Sequence, residues 1–236
     1  MTTPEERRAG YDDFVAYIHD LCAIPGIRTT LAKGRGRPVE QCGPMDRYLT
    51  RSTIGRTGRR SYYTVAALIA LAGPAAHTPG VKPEPPADDT LTGPAADALG
   101  ITPSPPDATA PPGSQLPALA AAPDDTSTPS PDTSHDSSAS DWYQRPNLGA
   151  TLAAAVTTRA HHEERTDAQL HVLTRLGDDQ VHRRLPTLTT RLLSDNLTPD
   201  WAVLLADLIQ RPYQRDTVSL RWRDAFYQGL DRHHRT

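Results

Sequence analysis

Arginine is the residue type best placed to do chemistry in this 236-residue chain. Residues 25–63 hold nine basic side chains: Arg28, Lys33, Arg35, Arg37, Arg47, Arg51, Arg56, Arg59 and Arg60. Only Glu40 and Asp46 oppose them, leaving a net charge of +7. Several flank glycine, as in Lys33-Gly34-Arg35-Gly36-Arg37 and Gly55-Arg56-Thr57-Gly58-Arg59-Arg60. Glycine lets a backbone approach a phosphate closely, and the planar guanidinium fork matches phosphate oxygens. The density and single sign of this segment point to an anionic partner. A second group, Arg175, Arg183, Arg184 and Arg191, lies far along the chain. At a helical 100° per residue Arg184 and Arg191 share a face, although taken alone this group reads as an ordinary solvated surface. The candidate nucleic-acid-binding residues are therefore Arg28, Lys33, Arg35, Arg37, Arg59, Arg60, Arg175, Arg183, Arg184 and Arg191. No recognition-helix signature, zinc finger or RNP aromatic pair accompanies them, so the expected contact is with the phosphate backbone, sequence-independent and salt-sensitive.

Other chemistry finds little support. There is no Gly-rich phosphate loop after a strand and no Gly-x-Ser-x-Gly elbow. His161 and His162 are adjacent and so face different ways on a helix. His162-Glu163 does not continue into a zinc helix, because Thr166 occupies the last position. These histidines read as solvated helix surface. Asp178-Asp179 and Glu163-Glu164 fall near helix starts, where carboxylates complement the helix dipole. The expectation is a protein that is not an enzyme, with no catalytic residues, metal ligands, cofactor or small-molecule substrate.

The elements that must position the arginines read as helices. Thr3-Pro4-Glu5-Glu6 has the form of a capping box with Pro at the first helical position. Tyr11, Phe14, Tyr17, Ile18 and Leu21 follow at helical spacing until Pro25-Gly26. Short helices over about 27–32 and 44–50 come next, then one capped by Ser61 whose apolar face is Tyr62, Val65, Leu68, Ile69 and Ala72. Five more are expected after residue 142. Asn147 caps the first, the second runs from about 162 to 176, and the third starts at Asp178 or Asp179 and is kinked or split by Pro186. Asp200 caps the fourth, and the fifth starts at Asp216 with Leu220, Trp222, Phe226 and Leu230 along one side. Between these groups, residues 78–141 hold 14 of the 23 prolines and few large apolar residues. Such a segment cannot offset its ordering entropy. The fold class is thus all-α: a helical lobe over 1–77, a long disordered Pro/Ala/Asp-rich linker over 78–141, and a helical-bundle lobe over 142–236.

That division resolves the charge. The whole chain is formally −3, which argues against a nucleic-acid binder. By segment the nets are +4, −9 and +2, so the parts outside the linker are +6. Two cysteines, Cys22 and Cys42, make neither a disulfide framework nor a zinc pattern and are expected to be reduced. Met1–Gly10 is polar, and the apolar run Val65–Ala72 is too short to span a bilayer. A cytoplasmic protein with no membrane partner is expected.

Three blocks carry a family resemblance. The first is Phe14-Val15-Ala16-Tyr17-Ile18-His19 leading into the run from Gly26 to Pro38. The second is Tyr62-Tyr63-Thr64-Val65-Ala66-Ala67-Leu68-Ile69-Ala70. The third opens with Asn147-Leu148-Gly149, passes through Arg191-Leu192-Leu193, Asp200-Trp201 and Leu204-Leu205-Ala206-Asp207-Leu208, and closes with Arg221 to Tyr227. In order and spacing these resemble the small subunit of the type I-E CRISPR Cascade complex, the CasB family. The resemblance implies an all-α fold of two small bundles and a non-nuclease role in antiviral defence. It implies that two copies pack head to tail in Cascade, contact the other subunits, and hold the guide RNA–target DNA duplex and the displaced strand. Arg28, Lys33, Arg37 and Arg191 fall in matching blocks, with Arg183 and Arg184 nearby. Two departures stand out. Ala168 and Gln169 occupy a place where the family tends to carry Arg, and some 60 residues are inserted where it has a short loop. Two other readings stay open at this point: a free-standing helical nucleic-acid-binding protein outside CRISPR, and a helical protein-interaction scaffold.

Overall fold

The computed structural model describes residues 3–73, 142 and 144–235, and the expected linker over 78–141 lies outside them. The described residues form nine α-helices and one 3-10 turn, with no strand. The first segment gives α1 (Pro4–Cys22), α2 (Pro25–Ala32), the 3-10 turn Val39–Gln41, α3 (Gly43–Thr53) and α4 (Arg59–Ala72). The second gives α5 (Leu148–Thr157), α6 (Glu163–Arg175), α7 (Asp178–Ser194), α8 (Trp201–Gln210) and α9 (Arg215–His234).

The helix starts follow their caps. Thr3 and Glu6 form the expected capping box: Glu6 N–H donates to Thr3 Oγ1 at 3.2 Å and Thr3 N–H to Glu6 Oε2 at 2.7 Å. Asn147 accepts from Ala150 N–H at 3.1 Å, and Asp200 from the N–H groups of Ala202 and Val203. Three expectations change. α4 is capped by Gly58 rather than by Ser61 and starts at Arg59, because Gly58 takes a left-handed φ of 78° and turns the chain into the helix three residues earlier. Pro186 does not split α7, which runs unbroken from Asp178 to Ser194. On α9 the buried row is Val218, Trp222, Phe226 and Leu230, spaced by four, while Leu220 is 50 % exposed on another face.

α4 is the centre of the packing. All ten residues Ser61–Ala70 are buried, not one stripe of them, because α1, α2, α3, α7 and α8 surround it. Helices from both segments therefore meet in one continuous apolar core. Ion pairs fasten the seam. Arg145 donates to Asp12 of α1 at 2.9 Å and to the α8 cap Asp200 at 2.7 Å. Within the second segment α5 lies tightly on α9: a Cβ on Gly149 would stand 1.8 Å from the Trp222 carbonyl oxygen, so only glycine permits the contact.

His161 is not a surface residue. It is 6 % exposed, and its Nε2 lies 2.9 Å from Asp195 Oδ2, tying the loop after α5 to the end of α7. Cys22 and Cys42 are free and buried, and burial pushes the Cys22 thiol up to about 11. No helix among the described residues is long and apolar enough to cross a membrane.

Candidate nucleic-acid interface

The loop between α2 and the 3-10 turn is held by its two glycines. Gly34 is buried against α3, where an added Cβ would collide with Met45 Sδ at 2.1 Å. Gly36 has a φ of 69°, and its Cα face rests on α7: a Cβ there would meet the Arg183 Cα at 3.5 Å and the Pro186 ring at 3.7 Å. Lys33, Arg35 and Arg37 alternate with these anchors and stay exposed. The glycines thus press the backbone onto two helices and leave the cations outward.

The same contact joins the two arginine groups across the gap from Gly36 to Arg183 in sequence. Arg60, in the first turn of α4, donates to Asp179 Oδ1 at 2.6 Å. Arg183 donates from Nε to Asp179 Oδ2 at 2.8 Å. The Arg60 hydrogen bond, then the charges of Arg60 and Arg183, hold Asp179 below its ordinary carboxylate range. Asp179 thus serves the α7 dipole, as its position suggested, and also clamps α7 to α4. A little further in, Thr64 Oγ1 and His182 Nδ1 share a buried 2.9 Å hydrogen bond, so α4 and α7 begin side by side.

The candidate residues separate into groups by placement. Lys33, Arg35 and Arg37 share one surface with Arg60 and Arg183, and Arg184 is the next, exposed, residue of α7. Among the described residues no carboxylate pairs with Lys33, Arg35, Arg37, Arg184 or Arg191. Arg59 is exposed but paired: it donates to Asp46 at 3.3 Å and to Tyr63 Oη at 2.9 Å, while Tyr63 itself donates to Asp46 at 2.5 Å. Arg28 lies at the far end of α4, 3.7 Å from the position a Gly73 Cβ would take, roughly 20 Å from Arg60 along a helix of this length. Arg191 is in the last turn of α7, and Arg175 ends α6, where its carbonyl accepts from Arg215.

Three arginines outside the candidate set are structural. Arg211 is 1 % exposed, pairs with Asp178 at 2.5 Å and donates to the carbonyls of Leu173, Thr174 and Leu176, closing the end of α6. Arg221 and Trp222 both donate to buried Asp207. Arg145 joins α1 to α8 as described. Their partners are distant in sequence, so no local pattern marks them off from the exposed arginines.

The family model for CRISPR-associated protein Cse2 matches residues 28–227. Two solved structures share the fold. One, titled CRISPR RNA-guided surveillance complex, aligns with a TM-score of 0.64 and 21 % identity over 97 % of this chain and 98 % of that one. The other, the same complex in a pre-nicking state, aligns with a TM-score of 0.64 and 22 % identity over 97 % of each chain. No curated protein matches the sequence at a significant level.

Proposed function

Because this chain belongs to the family of CRISPR-associated protein Cse2, we propose that it is the non-catalytic small subunit of a type I-E Cascade complex. In this reading it binds nucleic-acid backbone to stabilise the paired guide RNA–target DNA and the displaced strand. The observation that carries it is the seating of Gly36 on α7, which gathers Lys33, Arg35 and Arg37 onto one surface with Arg60, Arg183 and Arg184. A basic surface on which Lys33, Arg35, Arg37 and Arg184 have no carboxylate partner among the described residues, and which carries no base-reading groups, suits an assembly in which guide pairing reads the sequence. The partners are then the other Cascade subunits, guide RNA, target DNA and a second copy of this chain. The segments 1–77 and 142–236 supply the folded binding body, and 78–141 serves as a tether between them.

The test replaces Lys33, Arg35 and Arg37 together with Ala in the assembled complex and measures target binding across a salt series. Each lost phosphate contact lowers the slope of log affinity against log salt by about 0.7 on a single strand and 0.9 on a duplex. The triple variant is expected to lose about 2 from that slope while keeping its helicity and its place in the complex. An unchanged slope and affinity would remove this surface from the nucleic-acid path. Loss of assembly would make these residues structural.

A further inference from the structure

A cleft of about 940 Å³ opens on a different part of the molecule, between the start of α1, the loop after α3 and the end of α8. That volume lies in the range of roughly 300–1,000 Å³ in which organic ligands are held. Two kinds of group face it. The first is cationic. Arg7 is exposed and has no carboxylate partner among the described residues. Arg56 reaches the Gly10 carbonyl at 3.5 Å and Tyr62 Oη at 3.4 Å, again with no carboxylate. Both charges act on the Tyr11 hydroxyl, whose pKa burial and Tyr62 push upward and the two arginines pull back. The second kind is planar. The Trp142 ring lies 6.4 Å from that of Tyr11, and the Arg145 guanidinium stands 4.5 Å over its centroid. Arg145 is already neutralised by Asp12 and Asp200, so it offers the cleft a flat face more than a free charge.

The carboxylates on the cleft wall are committed elsewhere. Glu6 closes the α1 capping box, and Asp207 accepts from Trp222 Nε1 at 2.5 Å and from Arg221. What remains is a pair of unneutralised guanidinium groups beside a wall of rings and a guanidinium plane. Phosphate suits the first, and an unstacked base suits the second, since bases stack on aromatic rings and on arginine planes. A polypeptide acid would use only the cationic half.

We propose that this cleft is a second nucleic-acid site, one that takes an unpaired nucleotide of a single strand, with its phosphate at Arg7 and Arg56 and its base against Trp142 and Tyr11. It differs in kind from the 33–37 surface, which offers charge without rings. It also stands independently of that surface, since the two share no residue.

Trp142 supplies the readout. Trp201 and Trp222 are 3 % and 0 % exposed, so a bound base would quench mainly Trp142. The full chain is titrated with a dT oligonucleotide, with dTMP and with a poly-glutamate peptide while tryptophan emission is followed. Quenching by the oligonucleotide is expected, with dTMP binding at least tenfold more weakly. Arg7→Gln, at an exposed position without a partner, should weaken the oligonucleotide about three- to tenfold, and Arg7→Gln with Arg56→Gln by more. Trp142→Phe should remove the signal. The Lys33, Arg35 and Arg37 variant should still quench to the same plateau, which separates failure of this site from failure of the first. Absence of quenching, or quenching indifferent to Arg7→Gln, overturns the site. Equal affinity for dTMP overturns its assignment to a strand, and quenching by the peptide alone makes it a protein-docking cleft instead.

Discussion

At the scale of single residues, His182 concentrates two effects on one imidazole. It is buried between α4 and α7, and burial, followed by the charge of Arg60, lowers its pKa from 6.5 to about 4. The folded protein therefore holds it neutral, while the unfolded chain protonates it near pH 6.5. Between pH 6.5 and 4 the unfolded state binds more protons, so stability is full above 6.5 and falls as pH drops through this window. A difference of this size corresponds to at most about 3 kcal/mol. Thermal melts at pH 7, 6, 5 and 4.5 should show the wild type losing more stability than His182→Gln, which can keep a hydrogen bond to Thr64 but does not titrate. Parallel loss in the two proteins would place the acid sensitivity in other groups. Nothing in the sequence marked His182, because its burial depends on a helix 118 residues away. The burial of His161 is hidden from the sequence for the same reason: its partner Asp195 is 34 residues on.

At the scale of elements, local signals were legible and helix environments were not. The caps at Thr3, Asn147 and Asp200 use groups within three residues, and each does what its sequence suggested. The burial of α4 on all sides and the exposure of Leu220 depend on which helices arrive from elsewhere, and no spacing within one helix contains that information. The α5–α9 contact is of this second kind. Gly149→Ala would drive a Cβ into the Trp222 carbonyl, which is backbone and cannot rotate away. Overpacking of this sort costs about 1–3 kcal/mol and more when backbone must shift, so the variant should unfold at lower denaturant, with the upper end of that range or beyond lost. Gly26→Ala is the matched control: it sits in α2 with nothing within 4 Å of the added carbon. It should be neutral or stabilising by up to about 1 kcal/mol, since alanine loses less backbone freedom on folding. Equal effects at the two glycines would mean that close packing is not what Gly149 provides.

At the scale of the whole molecule, the candidate surface depends on contacts that no local pattern encodes. The excess of cations in residues 25–63 was visible, as was a second group after residue 175. That Gly36 and Asp179 would join them was not, because the joining contacts link residues more than 100 positions apart in the chain. The formal charge of −3 hides this surface through the −9 of residues 78–141. Whether that acidity matters to binding is a question of range. At 0.15 M salt the Debye length is about 8 Å, while at 0.01 M it is about 30 Å, so with 78–141 acting as the proposed tether its charges should influence the basic surface only in dilute buffer. Deleting residues 85–135 removes seven aspartates and no lysine or arginine, and leaves 19 residues between Gly73 and Gln144. Extended, these reach about 60 Å, ample for a body whose radius of gyration is roughly 15 Å. The deletion should leave assembly with the other subunits intact and change nucleic-acid affinity less than about twofold at 0.15 M salt. At 0.01 M it should tighten binding and speed association, because the chain that remains is net positive. Co-purification of the shortened chain with its complex, with binding measured at both salts, decides the matter. Failure to assemble would give the tether a structural role, and an equal gain in affinity at both salts would place its acidic residues in direct contact with the basic surface.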